Sequence, residues 1–581
     1  MAVLAVVELA WLAWALNVPL INANSAAKPG DPLIARSFFL WHFLPAVLPG
    51  LSWRDSFLGG AVADLSHLEN LPQRLPIVLA AGLIVFSGVA LGMLVLRALG
   101  LHRRWSCLER IGVGFGLGMT GLGLFALLMG RAGLLSSWSA RVGLVVPIVV
   151  GAVFLLRERM PADTGSRTNP SHPELLSAVG FFLIVGPFLV VMALGAMLPT
   201  IDFDAIEYHL EGPKEYFLAG RIGFLPHNVY ASMPFGVEML HLLGMHVLGD
   251  WWSGALAGQL VVASFAPMAG LMVWLTARRW GSPRAGWVAA VIYLTTPWTY
   301  RLAAIPYVEG PLCYYHAALV WAAGIAWGER RGKAWLVVGL LAGGAMAIKY
   351  PALISAVVPF GLMAVAAGLR GWFGAREKPV ASPDPPPYPP PQGGRVSSSS
   401  ASEESSPSPL AGEGRVRGGT VSSLGKRLSP VIAFGLGVAI VMAPWLLKNV
   451  VDTCNPVYPL GYRVFGGHDW DDAREAKWVN AHGPKPIGAR AFIASALEVA
   501  GRSDWQSIAI FALAPLAFLR PGSRRAAWAI GGYVLYLFLT WWLLTHRLDR
   551  FWLPLLPGLA VLAGLGADWT RGRAWTALVG A

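Results

Sequence analysis

Apolar runs of bilayer-spanning length recur along the whole chain, and no other feature restricts its fold as strongly. They lie near 3–21, 77–99, 111–130, 142–157, 174–198, 253–277, 285–304, 306–327, 334–348, 351–369, 430–447, 506–519, 526–545 and 551–569. A span needs about 20 mostly apolar residues, so the reading is about 14 membrane helices. Lipid offers the backbone no hydrogen-bond partner, and segments of this length satisfy their amides only as helices. The expected fold class is therefore an all-α polytopic membrane protein whose chemistry resides in its loops. Composition agrees: 55% of the 581 residues are hydrophobic and 13% charged, against about 25% charged in soluble domains.

The net charge of +13, from 45 Lys and Arg against 32 Asp and Glu, would suggest nucleic acid in a soluble protein. Here the bases fall in short tracts after alternate spans: Arg103/Arg104/Arg110, Arg157/Arg159, Arg278/Arg279/Arg284, Arg330/Arg331/Lys333 and Arg520/Arg524/Arg525. That is the positive-inside pattern, which implies a lipid bilayer as partner and no nucleic acid. Residues 199–252, 301–309, 448–505 and 546–550 then face outward. Cys107, Cys313 and Cys454 form no CxxC or Cys/His ligand spacing. The first run reads as a retained helix, although Ala23 and Ser25 could mark a cleavage site. The shorter run 36–49 reads as an interfacial or re-entrant segment. Residues 375–428 are rich in Pro, Ser and Gly and nearly devoid of apolar side chains, so they are expected to be a disordered cytoplasmic insert. The chain thus divides into N-terminal helices (1–173), a membrane core with the acidic loop (174–374), the insert (375–428) and C-terminal helices (429–581).

The loop following residue 198 carries Asp202, Asp204, Glu207, His209, Glu211 and Lys214 within thirteen residues. A helix from Asp204 to Pro213 would align Asp204, Glu207, Tyr208 and Glu211 on one face. Carboxylates crowded at a low-dielectric boundary hold protons more tightly, which suits a base acting near neutral pH. The bland alternative is a solvated helix with Asp204 as its N-cap. His241 and His246 are five residues apart, and core packing suits them better than metal binding. Glu309 either faces the same cavity as Asp204 or pairs with Arg301. Trp251-Trp252 and Trp541-Trp542 stand at span ends, where aromatic anchors are expected.

The strings Asp204-Ala-Ile-Glu-Tyr-His-Leu210, Pro213-Lys214, Gly220-Arg-Ile222 and Asn228-Val-Tyr230 resemble the first outer loop of bacterial polytopic glycosyltransferases of the GT-C superfamily. These are relatives of the protein O-mannosyltransferases and the lipid A aminoarabinose transferases. Gly343 to Pro351, Pro444-Trp445 with Lys448-Asn449, Asn455-Pro-Val-Tyr-Pro459 and Arg550-Phe-Trp-Leu-Pro554 are similar to further motifs of that group, in order, over residues 174–570. Lys448, Cys454 and Phe551 stand where the pattern usually has Arg, Gly and Tyr.

The resemblance implies a GT-C-like bundle in a bacterial inner membrane. It also implies transfer of a hexosyl- or pentosyl-type sugar from a polyprenyl-phosphate donor to an envelope glycan or glycolipid. Under it, Asp204 is the base, with Asp202 and Glu207 as substitutes. Lys214, Lys349, Lys448, Arg547 and Arg550 are candidates for the donor phosphate, and Tyr208, His209, Asn228, Tyr230, Glu309, Asn449, Asn455 and Tyr458 for substrate. No cofactor is required, though His209 with Asp202 and Asp204 could hold a divalent cation. A transporter or lipid-linked glycan flippase fits the composition equally and would place its ionisable groups near the midplane.

Deletion of residues 383–420 should leave membrane insertion and activity nearly intact, because that composition buries too little surface to fold. Loss of folded protein in detergent chromatography after the deletion would contradict this.

Overall fold

The computed structural model describes residues 2–38 apart from 22, 23 and 26, single positions between 59 and 69, then 71–157, 172–329, 332–373, 419–570 apart from 484, and positions 572 and 575. Among them the chain is helical, with one isolated β-bridge between Pro19 and Ala35. In chain order the α-helices are α1 (Ala2–Asn17), α2 (Leu71–Ala98), α3 (Cys107–Arg131), α4 (Ser137–Arg157), α5 (His172–Gly195), α6 (Glu211–Ala219), α7 (Glu238–Leu248), α8 (Trp251–Ala263), α9 (Phe265–Trp280), α10 (Pro283–Thr295) and α11 (Pro297–Ala304). They continue as α12 (Glu309–Glu329), α13 (Gly332–Met346), α14 (Val358–Phe373), α15 (Gly419–Thr453), α16 (Tyr462–Phe465), α17 (Asp472–His482), α18 (Ala489–Leu497), α19 (Ile508–Leu513), α20 (Arg524–Leu544) and α21 (Leu556–Ala567).

Nine helical segments among the described residues are long and apolar enough to cross a membrane, fewer than the fourteen runs of the sequence. Three of the runs show a local cause. Run 285–304 divides before Pro297 into α10 and α11, because proline cannot donate to the preceding turn. Run 334–348 becomes the 15-residue α13, and run 506–519 ends in a 3₁₀ turn. Helix α13 is buried on most of its length, so its neighbours are protein and the hydrocarbon thickness does not dictate its length. Residues 39–49 and most of 375–428 lie outside the described residues, while 419–428 already belong to α15.

Two of the basic tracts meet acidic partners at one end of the bundle. Arg104 approaches Glu329 and Arg279 approaches Glu109, each at 3.9 Å, which ties together the turns before α3, after α9 and after α12. Glu109 also completes a capping box with Ser106 at the start of α3, satisfying two amides that the first turn leaves open. At the opposite end, Asp250 caps α8 through the Ser253 amide at 2.7 Å and Asp471 caps α17 through Arg474 N at 2.7 Å. The Trp541-Trp542 pair is not an exposed anchor: the residues are 3% and 6% exposed, and Trp541 Nε1 donates to Leu548 O at 3.0 Å. Trp252 does stand half exposed.

Backbones approach closely where glycine permits. A Cβ on Gly118 would lie 1.6 Å from Gly88 O, and one on Gly92 would lie 1.7 Å from Gly114 O, so α2 and α3 cross in near contact. Small residues at such crossings let helices pack when lipid provides no hydrophobic drive between them. Gly118→Ala should therefore destabilise by about 2 kcal/mol through overpacking. Gly180→Ala, where nothing lies within 4 Å, should stabilise by about 0.5–1 kcal/mol. Thermal unfolding in detergent measures both, and equal effects would refute the crossing.

Candidate functional site

The acidic loop does not continue as the regular helix its spacing suggests. After Asp202 and Asp204 the chain winds a π-helical turn over Ala205–His209, closed by Leu210 N donating to Ala205 O at 3.0 Å, and then enters α6. Helix α6 passes through Pro213, because proline in a first turn sacrifices no intrahelical bond. In a turn closed five residues apart, residues 204, 208 and 209 share one face, whereas α-geometry would send His209 to the far side. Asp204, Tyr208 and His209 accordingly line one cavity of about 540 Å³. Glu207 is exposed and Glu211 turns away to Lys214, 2.9 Å distant, so the four-residue face expected from the spacing does not form.

Asp204, Lys349 and Arg550 line this cavity, and a fourth charged group, Glu309, joins the two cations beside it. Arg550 Nη2 donates to Asp204 Oδ2. Lys349 Nζ donates to Glu309 Oε1 at 2.7 Å, and Arg550 Nε lies 3.7 Å from the same oxygen. Glu309 is 2% exposed, and its Oε2 has no hydrogen-bond partner among the described residues. The cations rest on aromatic faces: Lys349 lies 3.7 Å from the Phe551 ring centroid and Arg550 4.3 Å from that of Tyr307. Such contacts stabilise charge where water is scarce. Asp204 makes no side-chain cap, so its carboxylate serves Arg550 and not the helix end. Arg301 is not the partner of Glu309; it stacks over Trp298 and Trp505, 5.4 and 5.0 Å from their centroids.

The other candidates are placed elsewhere. Asp202 accepts from Tyr307 OH at 2.9 Å. Lys214 borders a separate cavity of about 240 Å³, over Trp251 at 4.8 Å. Lys448 is buried, 3.8 Å from Asp452, and donates to Ala231 O at 3.3 Å. Arg547 spends its guanidinium on the carbonyls of Trp542, Pro486 and Lys485 at 2.8, 3.1 and 3.0 Å. Of the five phosphate candidates only Lys349 and Arg550 reach the cavity wall.

Asn228 holds the Glu207 carbonyl at 3.1 Å, and Asn449 donates to Tyr350 OH at 3.3 Å. Asn455 bonds Leu460 O and Gly466 O, both at 2.9 Å, folding the loop after α15. Tyr458 packs on Trp470 with centroids 5.6 Å apart and lies behind the wall. Cys454 adopts φ +59°, a left-handed conformation that glycine takes without strain, which explains why a glycine suits that position. His241 is fully buried with Nδ1 3.3 Å from Ala255 O, a packing role. Among the described residues no cluster of three His, Cys, Asp or Glu is arranged to hold a metal. Asp202, Asp204 and His209 each face a different partner.

Sequence reasoning missed several wall residues. Glu238 is 2% exposed, and His209 Nδ1 lies 2.6 Å from its Oε1. The signal available was one carboxylate opening an otherwise apolar helix, EMLHLLGMHVL. Trp478 and His482, from the inward face of α17, and His546 complete the wall. Burial, with Glu309 and Glu238 nearby, pushes the Tyr208 phenol well above its ordinary range, so it remains a proton donor. Burial and the neighbours His482, Lys349 and Lys485 lower the His546 pKa.

Residues 232–381 match the model of the dolichyl-phosphate-mannose-protein mannosyltransferase family. The matched stretch contains Glu238, Glu309 and Lys349 and lies within the region where the motifs resemble GT-C glycosyltransferases, so that resemblance is borne out there. Two crystal structures of ArnT from Cupriavidus metallidurans are similar in part. The one bound to undecaprenyl phosphate has 15% identity and a TM-score of 0.45, and the apo form has 17% and 0.43. In each case 69% of this chain aligns with 62% of the other, so the chain spans under two thirds of those proteins. No curated protein matches the sequence.

Glu309→Gln should destabilise the protein by about 3 kcal/mol, because it strands Lys349 and Arg550 with one carboxylate between them. Arg301→Gln should cost about 1 kcal/mol, the worth of a cation–π contact. A reversed order in thermal unfolding would restore the Glu309–Arg301 pairing.

Proposed function

We propose that the chain is a glycosyltransferase of a bacterial inner membrane. It moves a sugar from a polyprenyl-phosphate carrier to a glycan or glycolipid of the envelope, on the extracytoplasmic side. The observation that carries this reading is the single cavity joining Asp204 to Arg550 and Lys349, a carboxylate beside two cations in a partly dry site. A transporter would hold its ionisable groups near the midplane. These groups stand instead at helix ends and in loops, with Glu309 the first residue of α12 and Lys349 just past α13.

In the reaction the acceptor oxygen attacks the anomeric carbon from the face opposite the phosphate. The new C–O bond forms as the C–O bond to phosphate breaks, so the configuration inverts. The acceptor proton passes to Asp204, and the electron pair leaves with the polyprenyl phosphate, whose charge Arg550 and Lys349 hold. Cations fixed beforehand by Glu309, Phe551 and Tyr307 need little reorganisation as that charge develops. While Arg550 bonds Asp204, one carboxylate oxygen is occupied. An arriving phosphate competes for the guanidinium and frees the base, so donor binding prepares proton transfer.

Asp204→Asn should reduce transfer by about 10²–10⁴-fold, the usual worth of a general base. It should leave undecaprenyl phosphate binding intact or tighter, because Arg550 is released. Asp202→Asn and Glu207→Gln should lose far less, since Asp202 is engaged by Tyr307 OH and lies outside the cavity lining, and Glu207 is exposed. The measurement is mass spectrometry of envelope glycolipids from a deletion strain carrying each variant. Unchanged glycolipids in the deletion strain itself would end the transferase reading.

A further inference from the structure

The cavity has a second half that phosphate chemistry does not use. Tyr208 and Tyr230 stack at 4.5 Å with an interplanar angle of 24°. Tyr230 meets Trp478 at 5.6 Å, and His482 lies against Trp478 at 3.8 Å and 22°. The wall is held rigidly: His482 Nδ1 lies 3.0 Å from Trp478 O, which fixes the proton there, and Tyr230 OH is 3.3 Å from Nε2. At its inner end, Tyr208 adjoins His209 at 4.1 Å, and His209 is held by Glu238. Glu238 Oε2 is buried without a hydrogen-bond partner among the described residues. A buried carboxylate oxygen left this way is costly, and a ligand hydroxyl would relieve it.

We propose that Tyr230, Trp478 and His482, with Glu238 at the inner end, form a pyranose-binding subsite, and that the acceptor is a sugar ring and not a polypeptide hydroxyl. The assignment rests on the transferase reading for the word acceptor. Three features support it. Helix α17 is exposed along most of its length and rich in charge, so this wall is reached from water, where an isoprenoid chain would not lie. Asp204 lines the same cavity as Tyr230, Trp478 and His482, so a hydroxyl held on that wall shares one space with the proposed base. An aromatic face beside a carboxylate matches a pyranose, whose C–H bonds form an apolar face and whose rim carries hydroxyls.

The test uses full-length protein in detergent and methyl α-D-glucopyranoside, with N-acetylserinamide for comparison, read by saturation-transfer NMR. Transfer to the pyranoside C–H protons should exceed that to N-acetylserinamide. Trp478→Ala should weaken it about fivefold or more, and Trp478→Phe should retain most of it, because stacking is worth about 1 kcal/mol. Glu238→Gln should also weaken it. Stabilisation by undecaprenyl phosphate should persist in each variant, which shows that the fold is intact. Equal signals from the two probes, or a pyranoside signal indifferent to both Trp478→Ala and Glu238→Gln, would overturn the subsite. Trp478-dependent pyranoside binding without any stabilisation by undecaprenyl phosphate would uphold the subsite and defeat the donor half of the transferase reading.

Discussion

Charge held in a poorly solvated place is the constraint around which the rest of the molecule is arranged. An isolated buried ion costs several kcal/mol, and attraction repays this only where geometry is close. Glu309, 2% exposed, survives because Lys349 and Arg550 reach it from segments far apart in sequence. Asp204 draws Arg550 toward the acidic loop. These contacts tie the acidic loop, the start of α12, the segment after α13 and the turn before α21 to one point. The stability of this end and the chemistry proposed for it therefore depend on the same four side chains.

The helices beneath supply a frame stiff enough to keep those groups in place. Glycine crossings bring α2 onto α3 and, through Gly339 and Gly437, α13 onto α15. Close packing of this kind transmits small displacements instead of absorbing them. Lys349 follows α13, so its position depends on that crossing even though no residue of the crossing touches the cavity.

Much of this was legible in the sequence because its physics is local. Apolar runs report helices, and Asp204, Lys349 and Arg550 lay in motifs. What was not legible depended on tertiary partners. Lys448 and Arg547 look like free cations in a linear string, but Asp452 and three carbonyls consume them. Glu309 was left between the cavity of Asp204 and a pair with Arg301, and the fold gives it Lys349 and Arg550 instead. Glu238 was hidden in an apolar helix, and His482 of α17 is separated by 252 positions from Tyr230, the loop residue it meets. The spacing argument for the acidic face failed because it assumed 3.6 residues per turn.

That π turn sets a rule of length as well as of identity. A helix closed five residues apart carries one residue more than α-geometry needs. Removing any one of Ala205 to Tyr208 would let the backbone relax into an ordinary α-turn with no lost bond. Asp204 and His209 would then stand four residues apart, a spacing that α-geometry also places on one face. An insertion there, by contrast, would turn His209 away from Asp204 and cut the link to Glu238, so relatives that keep this chemistry should carry between those positions either four residues in a π turn or three in an α-turn, even where the residues themselves have changed.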